Sequence, residues 1–193
     1  EIYPLDVLDA ETAGQIGYLL QQELGNRLPA GRGCVALITQ VEVAAGDPAF
    51  AHPDKPIGAL CDASTAQSLS AAHGWTFMAD GDGLRRAVPS PVPQAIVELA
   101  PIATLLAAGI VVICAGGGGV PAVRSADGTL RGIEAVVDKD RAAAVLAHAL
   151  GADALLLLTD VDAVYQDWRT AQARAIARAA PRDLAGRTFA AGS

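Results

Sequence analysis

The sequence runs to 193 residues, 52% of them hydrophobic and 18% charged, which is enough for one good core and too apolar for a disordered chain. Its net charge of −7 comes with no run of Lys or Arg, so a nucleic-acid backbone has nothing to bind. Cys34, Cys61 and Cys114 stand far apart without a CxxC pair, and the most apolar window (Leu99 to Ala115) is broken by Pro101, Thr104 and Gly109; these exclude a disulfide framework, a zinc site and a membrane span, and predict a cytoplasmic protein.

The chain opens on EIYPLDVLDAETAGQIGYLL, with no initiator Met, signal peptide or first strand. Asp9 reads as the cap of a helix whose Ile16, Leu19, Leu20 and Leu24 repeat at helical spacing before a stop at Gly25-Asn26. Cys34 to Ile38 reads as a buried strand. The stretch 40–93, with GDPAFAHPDKPIG and DGDGLRRAVPSPVP, reads as an inserted, protruding lid subdomain. It holds a short helix at 64–72, strands near 75–78 and 86–88, and a satellite core of Phe50, Ile57, Leu69, Trp75 and Phe77. Pro101–Ala108 then reads as a helix, 110–114 as a strand, 126–128 as a turn and 138–150 as a helix. Ala154–Leu158 reads as a strand and 171–180 as a helix. Fully apolar strands alternating with amphipathic helices predict a single α/β domain over 1–193 on a mainly parallel sheet, with ligands at the carboxyl ends of the strands.

Two such strand ends carry the candidate chemistry. After Ile110–Cys114 come four consecutive glycines, Gly116 to Gly119, where bare backbone can approach a ligand and its N–H groups can converge on an anion. One glycine would suffice for a strand-exit turn. The loop is neither a Walker A motif, which needs Gly-Lys-Ser/Thr, nor a dinucleotide fingerprint, since the third glycine is missing and Val120-Pro121 follows. Lys139 stands between Asp138 and Asp140 at a helix start, where carboxylates are favoured and a cation is not. Asp138 suits an N-cap; Lys139 is either a solvated surface charge or a group that neutralises a transferring phosphoryl. Thr159-Asp160-Val161-Asp162 is either a polar turn or a place for water-bound Mg²⁺ or ribose hydroxyls. Lys55 and Arg85-Arg86 are the basic residues best placed on the lid; His52, His73 and His148 lack paired spacing, and Trp75 and Trp168 read as packing residues.

Taken in order, YPLDVLDAETAGQIGYLLQQELGN, TQVEVAAGDPAFAHPDKPIG, RRAVPSPVP, VICAGGGGVPAV, GIEAVVDKD, GADALLLLTDVDAVYQDW and FAAGS resemble the carbamate kinases of the amino-acid kinase family, across essentially the whole chain. The resemblance implies a three-layer α/β/α sandwich that forms a homodimer. It implies reversible phosphoryl transfer between ATP and carbamate, through carbamoyl phosphate and Mg-ADP, running toward ATP at the end of fermentative arginine breakdown. Gly116, Gly117, Gly118 and Gly119 would hold the carbamate or carbamoyl end. Lys139 would stabilise charge on the phosphoryl group, Asp140 would orient the catalytic lysines, and Lys55 would reach from the lid to the phosphates. Asp160, Asp162 and Tyr165 would line the nucleotide side, with ATP/ADP and Mg²⁺ as co-substrates and no resident metal. Family members open on a strand and a Gly-Gly-Asn loop, continue past the match to Ser193 with Met-Gly-Pro-Lys, and commonly carry Lys at Met78 and Trp at Leu84. The expectation is therefore a central fragment, incomplete at both ends and weak or inactive alone. The alternatives are a nucleotide-binding fragment without catalysis, or an amino-acid kinase acting on glutamate, acetylglutamate or a nucleotide.

Overall fold

Helix α1 (Leu5–Gly25) begins directly after Pro4, whose extended backbone (φ −56°, ψ 148°) offers no side-chain cap. The backbone N–H of Leu5 instead donates to Glu134 Oε1 at 2.8 Å, so a carboxylate far along the chain does the capping. Asp9, read from sequence as the cap, lies one turn inside the helix. The computed structural model describes residues 3–187, and the FAAGS motif at 189–193 lies outside the described residues. The chain divides into two compact units, Glu1–Leu155 and Leu156–Ser193.

The first unit is an α/β sandwich. Strand β1 (Cys34–Ala36) pairs in parallel with β7 (Val111–Ile113), and β2 (Gln40–Val43) pairs in parallel with β8 (Val120–Arg124). These are successive stretches of one ribbon: Leu37 N–H donates to the Ile113 carbonyl at 2.9 Å, and Val120 N–H to the Thr39 carbonyl at 2.8 Å. The register passes from Ala36↔Ile113 to Gln40↔Val120, so the second segment has three extra residues to place, and they bulge out as the glycine loop. Antiparallel β6 (Pro93–Ile96) flanks β2, and β9 (Leu130–Gly132) flanks β8 across the turn closed by Gly128 N–H to the Ser125 carbonyl.

Helix α1 packs on β1, β7 and β8; α3 (Leu99–Ala107) packs on β7, and α4 (Lys139–Leu150) on β6 and α3. The buried core joins Val41 and Val43 of β2 to Ile96, Ile102, Val137 and Ala142. Each of these Val and Ile side chains stabilises the fold by about 1.5–3 kcal/mol relative to exposure. Phe50 packs against this core, so it does not belong to the satellite core read from sequence.

Between β2 and β6, β3 (Lys55–Cys61), β4 (Thr76–Asp80) and β5 (Gly83–Val88) form their own antiparallel sheet in the order β3-β5-β4, with α2 (Ala63–His73) beside β4 and β5. Asp62 caps α2 by accepting from Thr65 N–H, and Gly74 ends it in the left-handed conformation (φ 69°). The ends of the 40–93 stretch, Gln40–Val43 and Pro93, belong instead to the four-stranded sheet.

Two secondary-structure assignments also fail. Ala154–Leu158 forms no strand: no described strand pairs with it, and Leu156 and Leu158 are 81% and 92% exposed. An apolar run becomes a strand only when a neighbouring edge takes its hydrogen bonds. The alanine-rich stretch 171–180 is not helical either. Its Arg174–Ile176 forms β11, paired antiparallel with β10 (Val164–Gln166), because the hairpin pairing overrides local helix propensity. A short helix α5 (Pro181–Leu184) completes the second unit. No helix among the described residues is long and apolar enough to cross a membrane.

Candidate functional site

The glycine loop leaves β7 through Ala115, held in the left-handed region at φ 52°, and turns through a short 3-10 segment at Gly116–Gly118. The four glycines have different reasons to be there. A Cβ on Gly118 (φ 115°) would collide with the Val137 carbonyl, and one on Gly119 (φ 81°) with the Val41 side chain, with the Thr39 carbonyl 3.1 Å away. Both are buried, and close packing alone accounts for them. Gly116 and Gly117 are exposed, and nothing lies within 4 Å of a Cβ placed on Gly117. The N–H groups of Gly118 and Gly119 are used on the Ala115 and Gly116 carbonyls, at 3.0 and 3.1 Å. Any anion cradle in this loop therefore rests on Gly116 and Gly117.

Thr39 fixes the loop at both ends. Its buried hydroxyl donates to the Leu37 carbonyl at 3.1 Å and accepts from Ala115 N–H at 3.0 Å, while its carbonyl accepts from Val120. Sequence reading passed over this residue; the available signal was a polar residue interrupting apolar strands ahead of a glycine loop.

The contact between Gly118 and Val137 sets the loop against the start of α4. There Asp138 caps the helix: its Oδ1 accepts from the N–H groups of Asp140 and Arg141, each at 3.1 Å. Its Oδ2 accepts from Lys55 Nζ at 3.2 Å. Partial burial works to raise the Asp138 carboxyl, but the Arg141 N–H, Lys55 and the Asp140 N–H outweigh it and hold the group below its ordinary range. Lys139 is 72% exposed, with its ammonium 3.8 Å from Asp140 Oδ1. Lys55, Asp140, Lys139 and the glycine loop, singled out separately in the sequence, thus meet around one helix start. The partner that holds Lys55 is Asp138, which the sequence marked only as a cap.

Two further carboxylates hold the surroundings. Asp47 accepts from Ala49 N–H at 2.9 Å and Val92 N–H at 3.0 Å, joining the GDPAF and PSPVP segments; the Ala49 bond, then the Val92 bond, hold its carboxyl below the ordinary range. Glu134, besides capping α1, accepts from Arg86 Nη2 at 2.7 Å. The Arg86 guanidinium lies 4.1 Å over the Trp75 ring, a cation–π contact that gives Trp75 its packing role.

In the second unit, Tyr165 OH donates to Asp162 Oδ1 at 3.0 Å, which raises the phenol's pKa, and its ring lies 4.7 Å from that of Trp168. Asp160 is exposed beside Thr159. Among the described residues no three His, Cys, Asp or Glu side chains gather as a cation site. A cavity of about 580 Å³ lies between α1 and the β1–β7 pair, lined by Ile16, Leu20, Leu37, Ile113 and other uncharged residues, and is unsuited to a phosphate.

The description "Amino acid kinase family" matches residues 57–193. The chain is 50% identical to the carbamate kinase of Rhizobium meliloti (strain 1021) over its whole length and 60% of that protein. It is 49% identical to the carbamate kinase of Escherichia coli (strain K12), again over its whole length and 63% of that protein. Among solved structures, one from Aeropyrum pernix K1 superposes with a TM-score of 0.84 at 40% identity, covering 94% of this chain and 60% of that one. Carbamate kinase from Giardia lamblia bound to AMP-PNP superposes with a TM-score of 0.77 at 38% identity, covering 90% and 56%. The chain thus spans about 60% of the length of these curated relatives.

Proposed function

The chain belongs to the amino acid kinase family, and from that premise we propose that it performs carbamate kinase chemistry, the reversible transfer of a phosphoryl group between ATP and carbamate. The observation that carries this reading is the convergence of the exposed Gly116–Gly117 turn, the lid residue Lys55 and the Lys139–Asp140 pair around the first turn of α4. In the ATP-forming direction, a β-phosphate oxygen of ADP attacks the phosphorus of carbamoyl phosphate. The bond from phosphorus to the carbamoyl oxygen breaks, and carbamate leaves with that electron pair.

Such a transfer needs little covalent help from the protein; it needs alignment and positive charge. Gly116 and Gly117 receive the carbamoyl end, with Gly118 and Gly119 shaping the turn. The ammonium groups of Lys139 and Lys55 neutralise charge spreading over the phosphoryl oxygens, and Asp140 orients Lys139. Asp160, Asp162 and Tyr165 are proposed as nucleotide contacts. Mg²⁺ enters as part of the nucleotide substrate, bound through phosphate oxygens. The proposal extends, on the sequence resemblance alone, to a cytoplasmic homodimer serving arginine breakdown. Light scattering on the purified 19.6-kDa chain should then give about twice the monomer mass, and a monomeric mass would remove the dimer.

The deciding experiment is ATP formation from ADP, Mg²⁺ and carbamoyl phosphate. The parent chain should form ATP at a rate that is weak but measurable above a blank without protein. Lys139→Ala should lower kcat by about 100-fold or more with little change in the KM for ADP, because its charge acts mainly in the transition state. Unchanged turnover in Lys139→Ala would remove that residue from the mechanism.

A further inference from the structure

Lys55 and Asp138 are 83 positions apart, one at the start of β3 and the other at the N-cap of α4. Asp138 divides its two oxygens between separate tasks. Oδ1 takes the N–H groups of Asp140 and Arg141, fixing the backbone on both sides of the Lys139–Asp140 pair, and Oδ2 takes Lys55 Nζ. We propose, resting on the kinase reading above, that Asp138 is a positioning residue for phosphoryl transfer, holding the lid lysine beside the glycine loop while fixing the helix turn that carries Lys139.

Three observations carry this. The base on which Asp138 stands is rigid: Val137 is buried in the core, its carbonyl lies against Gly118, and Val136 N–H donates to the Pro89 carbonyl at 2.9 Å. Lys55 opens β3 opposite Val88 of β5, the residue before that same Pro89, so the strand's placement and the side chain's target are set by one stretch of chain. Finally, both partners are about one-third exposed, and an ion pair so accessible contributes little to stability. Its effect is on geometry. A lysine on a flexible four-carbon stem keeps many rotamers unless something holds it, and misplacement by about 1 Å can cost roughly 100-fold in rate.

Asp138→Asn separates the two tasks. The amide oxygen still caps α4, but the amide NH₂ faces the Lys55 ammonium donor to donor. Asp138→Ser also caps and is too short to reach Lys55. In the ATP-forming assay both variants should melt within about 2 °C of the parent. Both should lose about 10- to 100-fold in kcat, with KM for ADP altered less than about 2-fold. Lys55→Ala should lose as much, and Asp138→Asn combined with Lys55→Ala should be no worse than Lys55→Ala alone, the non-additivity of a shared contact. A structural role alone would lower melting temperature and leave the two losses multiplying. An active parent whose Asp138→Asn variant keeps its kcat, or whose double variant multiplies the losses, overturns this inference alone. A parent that makes no ATP overturns the kinase reading and takes this inference with it.

Discussion

Asp9 stands half-buried in α1, near Asp6 and Glu134. Burial, then the charge of Asp6, then that of Glu134 push its carboxyl from an ordinary 3.8 up to about 6. Folding therefore favours the protonated acid, so the molecule is most stable below about pH 4 as far as this group is concerned. Stability falls as pH rises from 3.8 through about 6, where the folded form must also give up the proton. Asp9→Asn mimics the protonated state. It should stabilise the protein by about 1 kcal/mol at pH 7.5, after allowing for the group's partial exposure, and leave it nearly unchanged at pH 4. Chemical denaturation at the two pH values checks this, and equal effects at both would refute the assigned cause. Asp138 runs the other way: its lowered carboxyl adds stability above the ordinary carboxylate range and loses it as pH falls through the depressed folded value. Neither behaviour was legible in the sequence. Asp9 and Asp138 both looked like caps, because the burial that dominates the Asp9 shift and the Lys55 contact that helps lower Asp138 arise only in the folded chain.

At the scale of elements, the sequence was most informative where local chemistry decides. Helix α4 starts at the expected Asp138 and ends at Gly151 in the left-handed conformation (φ 64°), and α2 lies within a residue of its predicted span at each end. It misled where a partner decides. The five-residue apolar run at 154–158 lacks a described edge to pair with, and Ala171–Ala180 was drawn into a hairpin by β10. The glycine loop lies between these cases. Its presence and place were plain, but its division into two packing glycines and two open ones depends on Val137 and Val41, which belong to other elements. That division makes a graded prediction. Gly117→Ala meets open space and only the left-handed cost of φ 70°, about 1 kcal/mol. Gly118→Ala adds a collision with the Val137 carbonyl and should cost about 3 kcal/mol or more. Urea denaturation of the two variants should preserve that order; equal losses would mean the loop does not press on the α4 start.

At the scale of the whole molecule, the question is whether binding and transfer travel together. The chain is half identical to carbamate kinases from end to end, yet spans about 60% of their length. The two capacities must therefore be read separately. A ligand that binds only the folded state stabilises it by about 2.7 kcal/mol at 100 times its Kd. For a chain of 193 residues that is a rise of roughly 5–10 °C in melting temperature. Mg-ADP at saturating concentration should produce this shift in the parent and in Lys139→Ala alike, because Lys139 is assigned to the transition state and its exposed ammonium adds little to ground-state binding. ATP should then form with the parent about 100-fold or more faster than with the variant. A shift in both with ATP from neither would identify a nucleotide-binding chain without transfer. No shift in either would remove nucleotide binding, and with it the reason for gathering a glycine turn, two lysines and two aspartates around the first turn of α4.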